Sequence, residues 1–280
     1  MDTLENMKNA IDYIEDNLDD EIEYVKIAQI ALCSQYHFQR MFAFLIGIPL
    51  SEYIRRRRLT LAAFDLQNST EKIIDIALKY GYNSPDSFSR AFMAMHEVTP
   101  SKAREKGISL KAYPRVTFSL SIKGVVEMKY RIEQKASFAV VGVKQRFSTV
   151  DGLGVSVGKM WAETPRETIS QIAGLGDGLV GVYSGMYEDN TTDYYIGAIT
   201  EKATPETLCR LDIPSFTWAI FEITGPMPTA MAEIWGRIFS EWFPTSGYEH
   251  GEAPELEWYS NGDMSASDYR SEIWIPVVKR

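Results

Sequence analysis

Glu272 lies in the closing segment "RSEIWIPVVKR", two residues before Trp274. Strand alternation puts Ile273, Ile275 and Val277 on one face and Glu272, Trp274 and Pro276 on the other. A carboxylate beside a tryptophan on an inward face is costly unless something pairs with it. Two kinds of partner suit it: a cation of the chain, with Arg270, Lys129 or Arg131 as candidates, or a bound organic cation. The same half of the chain supplies Tyr183, Tyr195, Trp161, Trp218, Trp235 and Tyr259. Ring faces attract cations, so these residues with Glu272 and Trp274 can form an apolar box holding one counter-charge. Near the other end, Gln35, Tyr36, Gln39 and Arg40 fall off the apolar stripe of Phe38, Met41 and Phe42. Asp86, Ser87 and Arg90 likewise fall off the stripe of Phe88, Ala91 and Phe92. Gln and Arg are the side chains that read adenine or guanine bidentately, and Ser34 and Ser84 are suited to start the helices that present them.

Other chemistry finds little support. Cys33 and His37, four apart, lack two further metal ligands, and His250 is expected in an exposed "GYEHGE" loop. No Ser-His-Asp set, Cys-His pair or metal cluster emerges, so neither a catalytic residue, a metal nor a cofactor is expected, and the chain reads as a non-enzyme.

The elements that must position these residues fall into two halves. Up to about residue 107 the apolar period is helical, with seven helical segments joined by short turns. Two short helices separated by a tight turn recur at about 23–46 and 71–96, which is the pattern of two helix-turn-helix units. Residues 108–125 read as a linker. From 126 to 280 the period changes to two, interrupted by helical windows at 156–173 and 227–243. The order strand–helix–strand–strand occurs twice, which predicts a duplicated β-α-β-β unit in an α+β domain, with Tyr195 and Asp193 at the repeat positions of Trp274 and Glu272.

The formal charge of -9 conceals a segregation: residues 1–23 carry -8, residues 24–107 carry +5 and the remainder carries -6. A locally basic block can still bind a polyanion, because phosphate contact is local. "RRRR" at 55–58 points in four directions, so one or two of its arginines can touch a phosphate and the rest form a solvated face. Two distant cysteines, Cys33 and Cys209, suggest no disulfide framework, and Cys209 reads as a half-buried packing residue. With no leader and no apolar run of spanning length, a soluble cytoplasmic protein with no membrane partner is expected.

"SQYHFQRMFAFLIGIPLSEYIRRRRLTLA" followed by "IIDIALKYGYNSPDSFSRAFMAMHEVTPSKAR" resembles the AraC/XylS family of transcription regulators over about 100 residues. That resemblance implies two recognition helices in successive major grooves of promoter DNA, read by Tyr36, Gln39 and Arg40 and then by Asp86, Ser87 and Arg90, with RNA polymerase as a further partner to consider. His96-Glu97 departs from a common helix-ending glycine, and Ala103 from a common aromatic. "IPSFTWAIFEITGPMP", "PELEWYS" and "SEIWIPV" resemble the GyrI-like effector-binding domain over about 150 residues. This implies two units around a pocket that takes small hydrophobic, often cationic effectors of multidrug type, with Glu272 meeting the ligand. The same resemblance implies the alternative, a small-electrophile hydrolase fused to a DNA-binding module, with Glu272 polarising water and Tyr183 or Tyr195 assisting.

Overall fold

The computed structural model describes residues 3–117, 127–148, 153–187 and 191–279, so part of the expected 108–125 linker lies outside the described residues. Seven helices come first: α1 (Thr3–Asp16), α2 (Tyr24–Ala31), α3 (Gln35–Ile46), α4 (Leu50–Asn68), α5 (Ile73–Lys79), α6 (Pro85–His96) and α7 (Pro100–Ala103). Two compact units result, and their boundary does not follow the chain simply. Met1–Gln35 and Ile48–Leu120 form one, whereas Tyr36–Gly47 groups with Ser121–Arg280 in the other. No helix among the described residues is long and apolar enough to cross a membrane.

In the N-terminal unit one core cluster is built from one face each of α4, α5 and α6: Leu59, Leu66, Ile76, Phe88 and Phe92 are fully buried together with Ala103 of α7, while Met7, Ile11 and Ile14 bury the inner face of α1. The side chain of Ser84 caps α6 by accepting from the Ser87 amide at 3.2 Å, with Pro85 next where its missing N–H costs nothing. Glu97 ends α6 in the left-handed region at φ 64°, so this glutamate adopts the conformation usually taken there by glycine. The four arginines of 55–58 bond within the chain. Arg55 and Arg56 hold Glu52, Arg57 holds Glu15 and the Tyr113 carbonyl, and Arg58 holds the carbonyls of Leu18 and Asp20.

The C-terminal unit has β1 (Tyr130–Lys135), β2 (Phe138–Ser148), α8 (Leu153–Glu163), α9 (Arg166–Ala173), β3 (Leu179–Met186), β4 (Thr191–Ile199), β5 (Cys209–Ile213), β6 (Phe216–Thr224), α10 (Thr229–Arg237), a π-helical turn (Ile238–Trp242), α11 (Phe243–Ser246), β7 (Tyr248–His250), β8 (Glu255–Tyr259) and β9 (Arg270–Lys279). Pro165 splits the first expected helical window into α8 and α9. Cys209 on β5 is exposed rather than half-buried. The strand order β1-β6-β9-β8-β3-β4-β2-β5 reads the same from either end when the repeats are exchanged, as a duplication requires.

That order also forces curvature. Strands β1 and β2 stand six positions apart in the sheet, about 29 Å if it were flat. They are joined by residues 136–137 alone, a span of about 11 Å at most. The link between β5 and β6 imposes the same closure on the other repeat. One face of the sheet therefore curls inward: Phe138 of β2 lies 6.2 Å from the rings of both Trp218 on β6 and Trp274 on β9. The opposite face carries the helices, with Met160 of α8 packed on Tyr194 and Ile196, and Ile172 of α9 on Ala198.

Candidate effector site

The two faces of the sheet divide the eight candidate effector residues. Tyr195, Trp218, Trp274 and Glu272 belong to the inward-curled face, where the three rings pack with Val180, Val182 and Leu256. Glu272 does not meet Tyr183, Trp161, Trp235 or Tyr259 as expected. The register explains this: Trp258 of β8 pairs with Glu272 of β9, so Glu272 shares a face with Trp258, and Glu257 points the other way. Arg131 already supplies the cation for Glu272 at 3.0 Å, and the Trp274 indole N–H donates to it at 2.6 Å. Its repeat counterpart Asp193 is treated alike. The Arg146 hydrogen bond, assisted by Tyr187 and Lys144, outweighs burial and holds its carboxyl at about 2.

The helical face builds the cage. Alternation on β8 directs Glu255 and Glu257 to this side, 1 % and 6 % exposed. Trp235 of α10 donates its indole N–H to Glu257 Oε1 at 2.8 Å, and the Tyr259 hydroxyl donates to Oε2 at 3.0 Å. Trp161 of α8 donates to the Tyr194 hydroxyl at 2.9 Å, and the Tyr183 and Tyr194 rings meet edge to face at 4.7 Å. Gly181 on β3 makes room, since a Cβ there would fall 2.0 Å from the Tyr194 hydroxyl. Any larger residue would push that ring out of the floor.

A cation fills the cage, and it belongs to the chain. Arg40 of α3 places its guanidinium carbon 3.6 Å from the Tyr183 ring centroid and 4.3 Å from that of Trp235. Its Nη1 lies 3.0 Å from Glu255 Oε2 and donates to the Tyr36 hydroxyl at 2.7 Å, while Nη2 lies 3.9 Å from Glu257 Oε1. Neither Nε nor Nη2 has an acceptor in hydrogen-bond geometry. Phe44, one turn on, stacks with Trp235 at 5.5 Å. Burial would raise Glu255, but the Arg40 charge and the His250 hydrogen bond outweigh it and hold the carboxyl at about 2. For Glu257 burial prevails over Arg40 and its two hydrogen-bond donors, so its pKa is raised. One guanidinium thus serves two carboxylates of unequal acidity.

Helix α3 departs from the expected exposure. Tyr36, Gln39 and Arg40 are 7 %, 7 % and 6 % exposed, because the strip left off the apolar stripe is covered rather than open. Ser34 is exposed and Gln35 half-buried. On α6, Asp86 and Arg90 are exposed, while Ser84 and Ser87 are half-buried and hydrogen-bonded to each other. His250 is not exposed either. It shares a hydrogen bond with Glu255 at 2.8 Å, and its ring lies 4.3 Å from that of His37. Among the described residues, His37, His250 and Glu255 offer ligand atoms within 4.8 Å of one another, but a divalent cation there would compete with Arg40 for Glu255. Glu255, Glu257 and Tyr194 were missed from sequence. The signal was present in "PELEWYS", where two acids two apart on a strand must share a face.

Residues 128–278 match a GyrI-like small molecule binding domain, and residues 27–106 match a helix-turn-helix domain. The HTH-type transcriptional activator AarP of Providencia stuartii is 44 % identical over 92 residues, covering 33 % of this chain and 68 % of its own length. The multiple antibiotic resistance protein MarA of Salmonella typhimurium is 37 % identical over 96 residues, 34 % of this chain and 76 % of its own. Among solved structures, SAV2435 bound to tetraphenylphosphonium aligns at TM-score 0.50 and 22 % identity, over 54 % of this chain and 94 % of that one, which supports the fold of the C-terminal unit.

Proposed function

Since the chain belongs to the AraC-type helix-turn-helix regulators and carries a GyrI-like small-molecule-binding domain, we propose that the cage around Glu255 and Glu257 is its effector site and that the effector is a lipophilic organic cation. The observation that carries this reading is the Arg40 guanidinium, held against two ring faces and beside two buried carboxylates. Ring faces and buried carboxylates that hold one delocalised cation attract others in the same way. Tetraphenylphosphonium, bound by the similarly folded SAV2435, is such a cation. The relatives are transcriptional regulators, and we assign the cage to binding without turnover, in a protein acting in the cytoplasm where promoter DNA is. Asp86, Ser87 and Arg90 are the proposed base readers of one helix-turn-helix unit; Ser34, Gln35, Tyr36, Gln39 and Arg40 are those of the other.

Quenching of tryptophan fluorescence tests the site. Glu257→Gln is expected to weaken tetraphenylphosphonium about 10- to 100-fold, the order for removing a Coulomb attraction of about 2 kcal/mol in a medium of effective dielectric near 20. Neutral triphenylphosphine oxide should bind the variant nearly as before. Equal loss of both ligands, or of neither, removes the carboxylate from the effector site.

A further inference from the structure

We propose that Arg40 is an internal competitor for the effector cage, so that a cationic effector and docked helix α3 exclude one another. This rests on the cage being the effector site. Three observations carry it. The first is occupancy: the guanidinium lies between Tyr183 and Trp235, where a cationic ring system would have to stack. The second is incomplete satisfaction. Nε and Nη2 are buried without hydrogen-bond acceptors, so Arg40 is held by charge and ring faces rather than by a full set of directional bonds. A buried donor left unmade costs free energy, which a cation without N–H groups does not incur. The third is identity. Arg40 is the arginine that the helix-turn-helix pattern assigns to base reading, and in the cage it is 6 % exposed. A guanidinium held there cannot reach a guanine edge.

The coupling follows from mass action. An effector that binds only the vacated cage favours the state with α3 undocked, by as much as its affinity for the two states differs. Its apparent affinity is reduced by the fraction of molecules in which the cage is vacant. The proposed consequence is that effector binding frees Arg40, together with Tyr36 and Gln39 on the same helix, for DNA.

The test titrates tetraphenylphosphonium into the full chain as wild type, Arg40→Ala and Glu257→Gln, and follows amide hydrogen exchange over residues 36–46. If α3 is docked in nine molecules of ten, Arg40→Ala should bind the cation about tenfold tighter than wild type. Saturating cation should speed exchange over 36–46 in the wild type. Glu255→Gln should speed it without any ligand, an arm that holds even if Arg40→Ala misfolds. Tetraphenylphosphonium binding lost in Glu257→Gln but not improved in Arg40→Ala overturns the competition alone. Binding indifferent to Glu257→Gln overturns the cage itself and the competition with it. Exchange over 36–46 unchanged in Glu255→Gln also overturns the proposal.

Discussion

Helices α3 and α6 share a pattern, a serine before the helix and an arginine six residues later, yet they are presented differently. On α6, Phe88 and Phe92 are fully buried while Asp86 and Arg90 are exposed, the arrangement of an amphipathic helix with one face open. On α3, seven consecutive residues from Tyr36 to Phe42 are buried, which is nearly two full turns and so every side of the helix. The polar strip on α3 is satisfied by an aromatic and acidic cage, whereas that on α6 is left to solvent or to DNA. A shared motif therefore sets which residues are polar, and the partner of the polar strip decides whether it can be used. On the proposed reading of α3 and α6 as recognition helices, DNA affinity can be tuned through the covered one while the other stays competent.

The largest expected effect comes from acid acting on the covered helix. Glu255 titrates at about 2 against an ordinary value of 4.5. A depressed carboxylate stabilises the folded state above its ordinary value, and the contribution disappears as pH falls from 4.5 through 2; its size is on the order of 3 kcal/mol. His37, held neutral by burial and then by His250, adds to the loss once pH drops below its ordinary value of 6.5. Glu257 works the other way, because its raised pKa makes its charge unfavourable at neutral pH and protonation relieves it. All six tryptophans lie between residues 161 and 274, so their fluorescence reports on the C-terminal unit. Urea midpoints from that signal should place Glu255→Gln well below wild type at pH 7 and converge with it only as pH falls to about 2, where the carboxyl protonates in the folded state. A gap that persists at low pH would show that the carboxylate charge is not what holds this unit together.

Much of this was legible in the residues themselves. Ser84, Pro85 and the Phe88–Phe92 spacing mark both the start of α6 and its inward face, because caps and helical periodicity are local. The duplication was legible because both repeats switch between periods of two and 3.6 in the same order. The cage was not. Alternation shows that Glu255 and Glu257 share a face of β8 and that Glu272 and Trp274 share a face of β9. Which of these faces carries the helices depends on the pairing of Trp258 with Glu272, a long-range register. Arg40 was harder still, since a polar strip destined for solvent and one destined for a buried cage have the same composition and period.

The open helix should respond through DNA affinity with little change in stability. Arg90 is exposed and its arginine lies on the face opposite the Phe88–Phe92 core. Arg90→Ala is expected to cost about 1–3 kcal/mol of specific DNA binding, read by titrating a labelled promoter fragment at fixed salt. Arg40→Ala should give a smaller apparent loss than Arg90→Ala without effector, because its contact is made only when α3 is undocked. Equal losses would mean that α3 is as available to DNA as α6, and the contrast between the helices would fall.

The smallest effect concerns how α6 stays formed with one face unsupported. The Ser84 hydroxyl accepts from the Ser87 amide at 3.2 Å and lies 3.0 Å from the Ser87 hydroxyl. Losing an N-cap serine typically costs about 1 kcal/mol. Ser84→Ala should therefore lower the stability of the N-terminal unit by that amount. DNA affinity should fall in step, because Asp86, Ser87 and Arg90 all sit in the first two turns that the cap organises. Ser84→Asp separates the two contributions: an aspartate caps as well as serine and suits the helix N-terminus, but it adds negative charge beside the proposed DNA surface. Restored thermal stability with DNA affinity still reduced would place Ser84 close to phosphate. Full recovery of both would make it a cap alone, with groove contact beginning one residue or more farther along the helix.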